Sequence, residues 1–212
     1  MNRKNFTLLG LFSASLTVTY LNIPTLATPL VKHQPLKVSL QLRPNIKIRT
    51  VSYEIKGLTF EALRTQMNTF GPLDAREKRH YDGRTDWFVR WNFHDKKNGN
   101  FCKITTANVD VSVIFTMPLW RKPAQVDSNL VNRWNKFITN LQIHEDGHKQ
   151  HGIDAGNEVL QNLLNMPVYQ SCEQLATATN ATANRVIKKY NQLDILYDQE
   201  TQHGLNQGNR KH

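Results

Sequence analysis

Apolar and polar positions change their period once along this chain, near Pro118. Before that point the repeat is mostly two residues. Val51-Ser52-Tyr53-Glu54-Ile55 alternates apolar with polar and predicts a strand that ends at Gly57. Thr59 then opens a short helix, with Phe60, Leu63, Met67 and Phe70 at spacings of 3, 4 and 3, and Gly71-Pro72 stops it. Thr85–His94 and Phe101–Met117 are rich in aromatic and β-branched residues, and Asn98-Gly99 lies between them. This predicts a hairpin in which Val109, Val111, Val113 and Phe115 share one face.

After Pro118 the repeat becomes helical. Val126, Leu130, Trp134, Phe137 and Leu141 recur at 4, 4, 3 and 4, a single apolar stripe. The stripe predicts a helix from near Pro123 to near Leu164, with Gly152 and Gly156 as candidate breaks. A second helix is expected over about Ser171–Glu200, with Val186, Tyr190, Leu193 and Tyr197 on one face and Gly204 just past its end. The expected fold class is therefore α+β. An N-terminal antiparallel β-sheet with one short helix (49–120) is followed by a helical half (123–205), and both share one core in a single domain.

The ends read differently. Residues 28–48 contain Pro29, Pro35 and Pro44 and are expected to form an extended lead-in, with a short strand near Val38–Leu42. Residues 206–212 form a polar tail. Residues 1–27 have the build of a secretory signal peptide: Arg3 and Lys4, then an apolar stretch, then Thr25-Leu26-Ala27 with small residues for cleavage after Ala27. The apolar stretch is short and Thr-rich for a membrane anchor, so no transmembrane span is expected in the mature chain. The expected location is secreted or periplasmic.

Lys and Arg number 27 against 17 Asp and Glu, a net charge of +10. Cleavage would remove Arg3 and Lys4 and no acids, leaving 25 − 17 = +8. Export makes nucleic acid an unexpected partner, even though Trp87, Arg90 and Trp91 share a basic strand. An anionic cell-envelope polymer suits the charge better. The two cysteines, Cys102 and Cys172, are either two buried thiols or a disulfide suited to an oxidising compartment. Paired, they would close a loop worth roughly 4 kcal/mol.

Candidate chemistry sits on the long helix. His144-Glu145-Asp146-Gly147-His148 fits H-E-x-x-H. Residues i and i+4 share one helical face, so both imidazoles can reach one metal ion, while Glu145 can take a proton from a water on it. The apolar stripe continues through 144 and 148, which turns both histidines inward. A catalytic zinc needs a third ligand. His151 is a poor one, because 144 and 151 are about 10 Å apart along a continuous helix. It is expected at the edge of the cleft or behind the ligands. His203 is the preferred third ligand, since Gly204 permits a chain reversal; Asp198 or Glu200 is the alternative. Asp198 could instead orient an imidazole, and Tyr197 could donate to an oxyanion or simply pack.

HEDGH, followed about fifty residues later by LDILYDQETQHG, resembles the DUF922 family of predicted secreted zinc-dependent proteases. VSYEIKG, GRTDWFVRW and the two cysteines are also similar to that family, and the likeness covers about residues 50–208. It implies a signal peptide, a single zinc ion, a zincin-like domain and peptidase activity on a peptide or protein substrate. The expectation is an exported zinc metallopeptidase with His144, His148 and His203 as ligands and Glu145 as general base. The rival is a non-enzymatic envelope module with a structural zinc site.

Overall fold

The computed structural model describes residues 42–75 and 77–204. The segment expected to be a signal peptide, nearly all of the lead-in before β1 and the polar tail lie outside them. Of the strand expected near Val38–Leu42, only Leu42 is described, and it is not in a strand.

The architecture is α+β. In chain order the elements are β1 (Asn45–Ile55), α1 (Phe60–Phe70), β2 (Leu73–Asp74), β3 (Arg79–His80), β4 (Arg84–Asn98), β5 (Phe101–Trp120), α2 (Ser128–Leu164) and α3 (Cys172–Thr201). β4 and β5 form the expected antiparallel hairpin, with Gly99 at φ 60° in its turn and a bulge at His94/Asp95. The sheet is mixed, however, not antiparallel throughout. Its order is β1-β5-β4, and β1 runs parallel to β5 from Asn45↔Asp110 to Ile55↔Trp120. Burial explains the direction. Parallel pairing brings Ile55 beside Trp120, and both pack with Leu63, Met67, Leu130 and Trp134 into one apolar cluster. β1 also starts six residues before Val51, inside the segment read as lead-in. Its first eight residues are exposed, so no buried-face alternation marked them.

Each helix begins at a polar cap. The side chains of Thr59, Asp127 and Ser171 accept from the N–H groups of Ala62, Asn129 and Gln174. α2 therefore starts at Ser128 rather than near Pro123, and it runs unbroken for 37 residues. Gly152 and Gly156 do not break it. A Cβ at Gly152 would lie 2.6 Å from Trp87 Cβ, and one at Gly156 would strike Val111, so both glycines let the helix press on the sheet. The main core lies between them: Val109, Val111, Val113 and Phe115 face Ala155, Val159, Leu160 and Leu163 of α2 and Ala183 and Val186 of α3. A disulfide joins Cys102, at the tip of the hairpin, to Cys172, at the start of α3. Among the described residues no helix is long and apolar enough to cross a membrane.

Candidate metal centre

α3 runs back along α2, so that Thr201 meets His144, Asp194 meets His148 and Tyr190 meets Glu158. This antiparallel contact builds the site. His144, Glu145 and His148 are all buried on the inner face of α2. Asp194, Asp198 and Thr201 lie on one face of α3, opposite them. His148 Nε2 is 3.3 Å from His144 Nε2 and 3.1 Å from Asp198 Oδ1, and His144 Nε2 is 3.2 Å from the same oxygen. These three residues could hold a metal ion.

The outer nitrogens decide what the inner ones carry. Thr201 donates its hydroxyl to the Tyr197 carbonyl at 2.7 Å, so it accepts from His144 Nδ1. Asp194 accepts from His148 Nδ1 at 2.8 Å. When both imidazoles are neutral, each therefore has its proton on the outer nitrogen and a bare lone pair on Nε2. With Asp198 Oδ1, three ligand atoms then face one another at hydrogen-bond distance, and a proton or a metal ion between them relieves the repulsion. The same preference for positive charge shows in His148. Burial alone would lower its pKa, but Asp194 and Asp198 outweigh burial and push it up to about 10. Burial would raise the Asp198 pKa, but hydrogen bonds from the two histidines, then the charges of His148 and His203, hold it well below the usual carboxylate range.

Glu145 sits beside the triad with its own support. Thr85, on β4, donates to Glu145 Oε2 at 2.7 Å. The other oxygen, Oε1, faces Gly83, where a Cβ would come within 2.9 Å of it. Burial raises the Glu145 pKa, and the Thr85 hydrogen bond and the two histidines only partly oppose it. A carboxylate tuned upward in this way holds a proton more readily than an exposed glutamate.

The later motif wraps the first. The Tyr197 ring stacks on His144 with centroids 5.1 Å apart and planes at 7°, and lies edge-on to His148 and His151. It fits because residue 147 is glycine: a Cβ there would lie 2.6 Å from Tyr197 Cε1 and closer still to Oη. After α3, Gln202, His203 and Gly204 all have positive φ, at 50°, 51° and 86°. That left-handed turn sets Gly204 against His144, where a Cβ would be 3.0 Å from the His144 Cβ.

His203, preferred from sequence as third ligand, stands beside the triad. Its Nδ1 is 3.4 Å from Asp198 Oδ1, its side chain is 38% exposed, and its ring lies 5.0 Å from that of Tyr81. Glu200 is exposed and outside the cluster. His151 shares Asp194 with His148, at 2.7 Å. Asp194, Thr85 and Thr201 were not foreseen. Asp194 also accepts from Trp87 Nε1 at 2.7 Å, so it ties α2, α3 and β4 together. Its spacing of four from Asp198 was the available signal.

The triad opens into a cleft of about 990 Å³. Its far wall is built from Arg64 of α1, the β2–β3 turn, and Tyr81 to Thr85. Arg64 pairs with Asp82, and Tyr53 donates to the Asp82 carbonyl at 2.6 Å, which pins that wall to β1 and α1.

The fold and site define a class: an α+β protein with a histidine–carboxylate group that could hold a metal ion between two antiparallel helices and a glutamate beside it. A family model described as a bacterial protein of unknown function, DUF922, matches residues 50–204, and the chain belongs to that family. No curated protein and no solved structure matches it.

Proposed function

We propose that this chain is an exported zinc-dependent peptidase in which His144, His148 and Asp198 hold the ion. The observation that carries the reading is the three converging lone pairs beside Glu145, at the floor of an open cleft. Their separations of 3.1–3.3 Å match the edge of about 3.3 Å expected between donors around a tetrahedral zinc. Two imidazoles and one carboxylate, with a side left open, are a donor set used for zinc that acts on substrate.

Zinc bound there would polarise a peptide carbonyl and acidify a water. Glu145 takes a proton at Oε1, because Thr85 holds Oε2, and returns it to the leaving amine. Asp194 and Thr201 keep the two imidazoles in the tautomers that turn Nε2 inward. His203 and Tyr81 face the substrate from the cleft side. An extended peptide lies along the outer edge of β4, near Thr85.

His144→Ala is expected to lose a single bound zinc. Glu145→Gln is expected to keep the zinc and lose hydrolysis. Zinc-loaded protein that cleaves no member of a broad peptide library would refute the reading. A second reading rests on the closeness of His203 to Asp198: a closed four-ligand structural site with no place for water. X-ray absorption of the zinc-loaded protein separates the two, since only the peptidase reading keeps a solvent oxygen in the coordination shell.

A further inference from the structure

The sequence scatters its cations, and the fold gathers five of them on one surface. Alternate residues of the central strands, such as Trp87, Val89, Val111 and Val113, face α2 and α3. The ladder register puts the residues between them on the opposite side of the sheet. There lie Lys47 and Arg49 of β1, Arg90 and Lys96 of β4, and Lys103 of β5, all exposed. Among the described residues none of the five has an ion pair or a side-chain hydrogen bond. Of the acids on that face, Asp86 pairs with Arg84 at 3.0 Å, and Asp110, which accepts from Asn45 at 2.9 Å, stands opposite Arg90 in the ladder, so the face keeps a net positive charge.

Lys96 and Lys103 stand directly opposite each other across the ladder. Like charges in that position repel, and an anion between them would relieve the repulsion. The cations follow β5 from Lys103 to the level of Ile114, where Arg49 pairs. At about 3.4 Å per residue and 4.8 Å per strand, the strip is roughly 37 Å long and 10 Å wide. Phe88 and Phe101, 53% and 57% exposed, lie on the same strip. A long, narrow row of unpaired cations complements a thread of negative charges better than a plane of them.

We propose that this face binds a linear polyanion, a chain carrying repeated phosphate-type groups. None of the five cations lines the cleft, so the cleft stays open while the polymer is bound. The proposal does not depend on the peptidase reading.

The test uses linear polyphosphate as the probe and the full mature chain. Binding is expected, weakening roughly a hundred-fold between about 50 and about 200 mM salt if the five contacts release counterions. Lys47→Glu, Arg90→Glu and Lys103→Glu together should weaken it at least about a hundred-fold. A control triple on the helices, Lys136→Glu, Arg185→Glu and Lys188→Glu, should change it far less. Both triples are checked by circular dichroism; if the face triple does not fold, Lys96→Gln with Lys103→Gln replaces it. Equal losses in the two triples would overturn the proposal, because net charge alone would then explain binding. So would failure of the wild type to bind at low salt. Capture by phosphatidylglycerol vesicles that polyphosphate does not displace would also overturn it in favour of a lipid surface.

Discussion

Alanine at position 147 should be a stabilising change in almost any helix interior, by about 1 kcal/mol over glycine. Here that gain should be cancelled or outweighed. A methyl group at Gly147 would overlap the Tyr197 ring, with Cε1 at 2.6 Å. The ring cannot swing aside, because His144 is stacked on one of its faces and His148 and His151 meet it edge-on. Forcing an extra methyl into such packing costs about 1–3 kcal/mol. Gly147→Ala alone is therefore expected to range from neutral to about 2 kcal/mol destabilising. In a Tyr197→Ala background the obstacle is gone, and the same change should stabilise by about 1 kcal/mol. Urea unfolding of the four proteins of this double-mutant cycle, with chelator present, isolates packing from metal binding and should give a coupling of about 1–3 kcal/mol. A Gly147→Ala effect of the same size and sign in both backgrounds would refute the packing argument.

Asp194→Asn preserves shape but weakens the acceptor on His148 Nδ1; zinc affinity measured by calorimetry should fall about 10–100-fold. Folding raises the His148 pKa from 6.5 to about 10, so its contribution to stability is complete below about pH 6.5 and is lost as pH rises through about 10. Unfolding of the metal-free protein across that window should show the decline, and Asp194→Asn should flatten it. Replacing Cys102 and Cys172 by serine opens a loop with a sequence separation of 70, and should cost about 4 kcal/mol on the chain-entropy account, read as a lower urea midpoint.

Local signals carried much of the architecture. The apolar stripe from Leu130 to Leu141, the Thr59 cap and the Asn98-Gly99 turn each act over a few residues, so a single sequence displays them. The parallel partner of β1 lies 65 residues away, and what selects it, the joint burial of Ile55 and Trp120, is not periodic. Gly152 and Gly156 looked like breaks because glycine reports a missing side chain, and only the packed sheet reveals that the gap is used for close approach. At the site, i,i+4 spacing was enough to pair His144 with His148. Spacing could not rank His203 against Asp198. That ordering depends on how α3 lies along α2, and on Asp194 and Thr201, whose roles exist only through partners 46 and 57 residues away.

α3 is fastened at its two ends by different chemistries. Cys172 bonds its first turn to the sheet, while Asp194, Asp198 and Thr201 hold its last turns chiefly through the histidines of α2, with one further bond from Trp87 of β4 to Asp194. Reductant and chelator should therefore loosen opposite ends of the same helix. Hydrogen exchange would read chelation as faster opening near residues 190–204 with the Cys172 end still protected, and reduction as the mirror image.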